Sequence, residues 1–178
     1  GNLYIWGANG HDGNIVIQAT YGEESIWAKH NGAVELYYDN SKKIETSSSG
    51  VKMPDATQFE LGDGSDLKMW HSGSHSFIRN ETGNLTIEAN GAGDDAIKII
   101  PDGAVELYYD NVKTFQTNTN GVIVQAAEGG DANLFLYADE GDDNADKWLI
   151  QSESDGYFAL KNNASGSYET SIECNGNG

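Results

Sequence analysis

The chain has one cysteine, Cys174, two prolines, and ten basic side chains against 28 acidic ones in 178 residues. A single thiol excludes an intrachain disulfide, so no covalent staple is available to a small fold. A net charge of −18 argues against a nucleic-acid partner, because neutralising phosphates takes Lys and Arg. An anionic membrane surface is disfavoured for the same reason, and no apolar run reaches membrane-spanning length, so no membrane insertion is expected. Nucleophile motifs, a P-loop, a dinucleotide fingerprint and paired His and Cys metal sets are also missing. The chain is therefore expected not to be an enzyme. Glycan hydrolysis, which needs only two placed carboxylates, is the one chemistry that so acidic a sequence leaves open.

What is present is glycine, 22 residues of it, with frequent Asn, Ser and Asp and 38% hydrophobic residues. Such usage predicts short strands separated by tight turns, without long helices. The acidic excess keeps an assembly soluble but repels itself, a repulsion that a saline medium would screen; an ordinary solvated surface is the plainer reading.

The nine residues GAVELYYDN occur at 32–40 and again, unchanged, at 103–111. The match runs without a gap from Ser25–Pro54 to Ala96–Gln125. Ser171-Ile172 and Asn177-Gly178 then echo Ser25-Ile26 and Asn31-Gly32, and Gly1-Asn2-Leu3-Tyr4-Ile5 resembles Gly83-Asn84-Leu85-Thr86-Ile87. An internal repeat of this length decides architecture first. The expected organisation is a partial unit at 1–24, copy one at 25–54, a hairpin filler and connector at 55–95, copy two at 96–125, an acidic strand-rich filler at 126–170, and the start of a third copy at 171–178. On that reading the chain is expected to be a piece of a longer protein.

Within each copy, Val34, Leu36 and Tyr38 alternate with Glu35 and Tyr37, as do Val105, Leu107 and Tyr109 with Glu106 and Tyr108. Period two predicts a half-buried strand with the Val, Leu and Tyr38-type positions on its buried face. Asp39-Asn40 and Ser49-Gly50 then supply turns, giving a small meander of strands about five residues long. Leu67–His71 and Ser76–Arg79 predict a hairpin, and 133–137, 147–150, 157–161 and 169–173 predict four further strands. A copy of this size buries too little apolar surface to stand alone, so stacking or association with other chains is required.

The segments VELYYDN-SKKIETSSSGV, GDGSDLKMWHSGSHSFI and LYADEGDDNADKW together resemble repeats of tail-fibre and related virion structural proteins of marine tailed bacteriophages, particularly those of cyanobacteria. The resemblance covers nearly the whole chain. It implies an all-β, elongated, homotrimeric fibre of triple-stranded β-helix or β-prism type, located in the virion tail outside the cell, with a host-surface glycan or protein receptor as partner. A single-chain β-solenoid is the alternative fold. A cellular surface adhesin or extracellular filament, and a glycan-degrading tailspike, are the alternative functions.

Several side chains are candidate sites. Tyr37 and Tyr108, on the strand face opposite Val34 and Leu36, are expected to be exposed for ligand contact, and Trp70 is a candidate for stacking on a sugar ring. Asp142, Asn144, Asp146 and Glu153 fall at positions 1, 3, 5 and 12 of an EF-hand-like count. Calcium is thus the one candidate cofactor, although Lys147 stands where such a loop needs glycine. His71 and His75 flank the Ser72-Gly73-Ser74 turn and are candidates for a transition metal. Gly62-Asp63-Gly64-Ser65-Asp66 is a weaker calcium candidate.

Overall fold

The computed structural model describes residues 13–91 and 93–176. Residues 1–12, including Trp6, His11 and half of the expected partial unit, and Asn177-Gly178 of the expected third copy lie outside them. The chain divides into two compact units, Gly1–Thr82 and Gly83–Gly178.

The first unit holds a five-stranded sheet of β1 (Ile15–Thr20), β2 (Glu23–Ala28), β3 (Val34–Tyr38), β4 (Ser41–Ser47) and β5 (Gly50–Lys52), in that spatial order. A three-stranded sheet follows, of β6 (Phe59–Leu61), β7 (Leu67–His71) and β8 (Ser76–Asn80). The second unit repeats the five-stranded sheet with β9 (Leu85–Glu88), β10 (Asp95–Ile99), β11 (Val105–Tyr109), β12 (Val112–Asn118) and β13 (Gly121–Val124). It adds a four-stranded sheet of β14 (Ala132–Tyr137), β15 (Lys147–Ser152), β16 (Tyr157–Asn162) and β17 (Glu169–Asn175). The only helical turns among the described residues are 3-10 turns at Asp139–Gly141 and Asn144–Asp146.

The fold is thus all-β, built from four antiparallel meanders in which each strand pairs with its sequence neighbour. This corrects the single-chain solenoid alternative: a solenoid coil stacks parallel strands from successive turns, and no sheet among the described residues does so. The matched stretches at 25–54 and 96–125 begin inside β2 and β10, and the repeated unit includes one further strand, β1 or β9.

The repeated nine residues carry the instructions for the meander. Gly32 and Gly103 close the turn before β3 and β11 by donating their N–H groups to the Lys29 and Ile100 carbonyls at 3.1 and 3.0 Å. Asp39 and Asn40, at φ 49° and 54°, and Asp110 and Asn111, at 50° and 59°, are all left-handed. Two such residues in a two-residue loop make a type I′ turn, whose twist matches that of the strands it joins. Asn40 does more than turn the chain. Its Oδ1 accepts from the Glu24 N–H at 2.8 Å and its Nδ2 donates to the Gly22 carbonyl at 3.1 Å, tying the β3–β4 turn to the β1–β2 turn. Asn111 Oδ1 accepts likewise from the Asp95 N–H at 3.0 Å.

A β-bulge sits in each meander, because Leu36 faces Ile44 while Tyr37 faces Lys42, and Leu107 faces Phe115 while Tyr108 faces Lys113. The extra residue, Lys43 or Thr114, moves Lys42 or Lys113 to the sheet face opposite Ile44 or Phe115. Without the bulge, strict alternation would put both residues of each pair on one face. The bulge is what carries the lysine to Glu35 or Glu106.

Candidate functional site

Each of the four sheets carries an apolar row on one face, exposed at some positions and half-buried at others among the described residues. In the first, the cross-strand partners Ile17, Ile26, Leu36 and Ile44 form a row over four strands. The three-stranded sheet aligns Phe59, Met69 and Ile78. The second repeat aligns Ile87, Ile97, Leu107, Phe115 and Val124 across all five strands. The last sheet aligns Leu134, Ile150, Leu160 and Ile172.

The direction of burial reverses the expectation from period two. Leu36 is 41% exposed, whereas Glu35, beside it on the other face, is 3% exposed. Leu107 and Glu106 repeat the contrast. Among the described residues the buried apolar side chains are only Leu149 and Ala159. Alternation identifies two faces but not which one its own chain covers, and here the charged face closes over itself. Contiguous exposed apolar surface of this kind marks an interaction site.

On the charged face the Glu35 and Glu106 carboxylates are well satisfied, while the buried Trp27 Nε1 has no hydrogen-bond partner. Glu35 receives Lys29 Nζ at 2.7 Å, Lys42 Nζ at 3.3 Å and the Tyr37 hydroxyl at 2.6 Å, while Lys42 also bonds Glu45 at 2.6 Å. Lys29 lies over the Trp27 ring, 4.7 Å from its centre. Chiefly through the Lys29 bond, then through Tyr37, the Glu35 carboxyl is held down to about 2 against the opposing effect of burial. Glu106 receives Lys113 at 2.8 Å and the Tyr108 hydroxyl at 2.6 Å, and its pKa is lowered by the same two partners in that order. Both tyrosine hydroxyls are correspondingly raised, first by their bond to glutamate and then by burial.

The two networks differ in composition, and Lys98, at the position of Trp27, adds a positive charge to the second, 5.4 Å from the centre of the Tyr108 ring. Lys29 and Glu45 of the first copy become Ile100 and Gln116 in the second. One positive and one negative charge are exchanged for neutral residues together, leaving Lys113 to serve Glu106 alone.

This geometry corrects the exposure expected of Tyr37 and Tyr108. They are half-buried with their hydroxyls committed to Glu35 and Glu106, and the widely exposed neighbours are Tyr38 and Tyr109. Trp70 stacks on Phe77 with ring centres 4.7 Å apart and planes inclined by 16°, and the Arg79 guanidinium lies 5.0 Å from the same ring. Trp70 thus already holds two partners of the kinds that stack on indole.

Of the metal candidates, Asp142 and Asp146 come together, joined by Asp143 rather than by a histidine or by Glu153: one carboxylate oxygen from each lies within 4.8 Å of the others. They sit in the β14–β15 loop, which the Ala138 N–H closes by donating to the Asp146 carbonyl at 3.0 Å. Asn144 opens the second 3-10 turn, and Glu153, the count's twelfth residue, is paired with Lys161 at 2.6 Å. His71 and His75 are not brought into any such cluster among the described residues. His71 Nδ1 lies 3.1 Å from Asp55 Oδ1 and accepts the Gly73 N–H at 3.0 Å, while His75 meets the Phe77 ring edge-on. In the Gly62–Asp66 turn, Asp66 folds back on its own segment and accepts from Thr82 Oγ1 at 3.2 Å.

The apolar rows are the feature sequence reading missed. Their signal was there, in the i, i+2 spacing of Ile15-Ile17, Val34-Leu36 and Leu134-Leu136, but only strand register shows that these residues line up across a sheet. No helix among the described residues is long and apolar enough to cross a membrane. Comparison with protein-family models, curated proteins and solved structures gives no match.

Proposed function

We propose that this chain is a non-enzymatic structural module of a homotrimeric virion tail fibre of the kind its sequence resembles, in which three copies cover one another's apolar faces. The observation that carries this reading is the partly exposed apolar row on each of the four sheets, which in the two repeats lies opposite a face whose Glu35 and Glu106 carboxylates are already paired within the chain. A sheet buries its apolar face against another layer, and the described residues hold no second layer to do so. Three copies arranged about an axis would supply that layer and turn the Glu35 and Glu106 networks outward. On this reading the module spaces or presents surfaces that meet a host glycan or protein receptor, outside the cell, at the virion tail.

The test is solution mass and shape, by light scattering coupled to small-angle X-ray scattering, with and without calcium. A rod of three times the 19.2 kDa chain mass is expected. A monomer across the accessible concentration range would defeat the proposal.

A further inference from the structure

Nearly every position of the repeated nine residues has structural work inside its own sheet. The glycine closes a turn, the alanine carbonyl accepts a backbone N–H, and the valine N–H donates to Thr46 or Thr117 Oγ1 at 2.9 Å. Glutamate and the first tyrosine build the charged network, the leucine occupies the centre of the apolar row, and Asp-Asn makes the turn. The second tyrosine is the exception. Tyr38 is 75% exposed and Tyr109 79%, and neither hydroxyl has a hydrogen-bond partner among the described residues. The two copies differ nearby, with Ser41 against Val112 and Ile44 against Phe115, yet both keep tyrosine here.

Strand alternation places Tyr38 on the same face as Val34 and Leu36, and Tyr109 on the face of Val105 and Leu107. Each therefore flanks its apolar row, two residues along the strand from the leucine within it. We propose that Tyr38 and Tyr109 anchor the contact between copies of this chain, each ring packing along the flank of a neighbouring copy's row and each hydroxyl making a polar contact at its rim. This rests on the reading that further copies cover the apolar faces. A second copy is the fitting occupant because the same anchor is presented twice in one chain, on two sheets of the same design, and a second copy carries the matching pair. A ligand confined to one tyrosine would leave the other unexplained. Tyrosine suits the role, since it brings large apolar area and a polar tip at the cost of few rotatable bonds.

The experiment uses the full chain. Tyr38→Ala with Tyr109→Ala, and Tyr21→Ala as a control that is fully exposed but outside the repeated segment, are compared by sedimentation equilibrium, with circular dichroism to verify the sheets. In parallel, p-benzoylphenylalanine replaces Tyr38 or Tyr109 in a mixture of nitrogen-14 and nitrogen-15 chains, and photo-crosslinked peptides are mapped. The paired alanine variant should weaken self-association by about thirty-fold or more per anchor, Tyr21→Ala should not, and crosslinks should join differently labelled chains through residues of the apolar face. Should the wild type assemble while the paired variant assembles equally well, or the crosslinks stay within one chain, the anchors are wrong and the assembly stands. A wild type that remains monomeric removes both. If the alanine variant fails to fold, the crosslink map alone decides.

Discussion

Leu107→Asp in the full chain should dissolve the assembly and leave the individual sheet intact. Leu107 is the middle of a five-strand row, flanked by Ile97 and Phe115. The exposed fractions of Ile87, Ile99, Val105, Leu107 and Val122 amount to roughly two complete apolar side chains, worth about 3–6 kcal/mol per chain when covered. Three chains would gain about 9–18 kcal/mol from this one sheet, against about 4–15 kcal/mol for each of two association steps, so the row is a substantial share of the gain to which the other sheets add. Aspartate forfeits about 1 kcal/mol of that gain per chain and leaves a carboxylate without a partner where water has been expelled, a penalty of several kcal/mol. Light scattering of the variant should therefore report 19.2 kDa, with a far-ultraviolet spectrum unchanged from wild type. Thr119→Asp, in the β12–β13 turn, adds the same charge away from the row and should leave the mass alone. Retention of the wild-type oligomer by Leu107→Asp, or equal dissociation by Thr119→Asp, would refute the assignment of this face.

The remaining predictions concern the meanders themselves. Glu35 is held at about 2 in the fold against an ordinary value of 4.5, so its stabilisation is fully present above pH 4.5 and drains away as pH falls towards 2. Acid titration of Glu35→Gln should lack that component of the loss, and an unchanged acid slope would contradict the network. Lys29→Ile and Glu45→Gln should each destabilise the first unit by about 0.5–1 kcal/mol, while the pair together, which recreates the balance of Ile100 and Gln116, should cost less than their sum; strict additivity in urea denaturation would sink this. Asn111→Ala should cost about 1–2 kcal/mol through the left-handed backbone and the lost bond to Asp95. Asn111→Gly should recover the backbone part only, and equal urea midpoints for the two variants would show that strain plays no part. Because every chain carries −18, self-association should strengthen when sodium chloride is raised from 10 to about 150 mM, as screening shortens the reach of like-charge repulsion; weakening by salt would point to an interface held by ion pairs instead.

Local chemistry made much of the fold readable. Asp39-Asn40 and Asp110-Asn111 announced their turns because few residue pairs tolerate two left-handed conformations in succession. The hairpin at 67–80 and the four strands after residue 131 fell close to where alternation and turn residues placed them. Strands β2 and β10 were less legible: in β2, Glu23-Glu24-Ser25 precedes the only apolar run, and charged residues depress any strand signal. The candidate sites fared differently. Tyr37 and Tyr108 sit on the face opposite the leucines, as period two requires, yet that face proved to be the one closed by glutamate and lysine. The bulge that delivers Lys42 and Lys113 to it has no signature in composition.

By itself the sequence determined that the chain is a repeat of short strands, where its turns fall, that no intrachain disulfide can form, and that its net charge is −18. Those are local or global properties, set by backbone preference, period and count. Only the tertiary structure decided that the apolar residues form continuous rows and that, in the two repeated sheets, the buried face is the one carrying Glu35 and Glu106. The reason is that alternation is symmetric between the two sides of a sheet. Register across strands, and the side on which salt bridges can close, are fixed only when the strands are laid side by side.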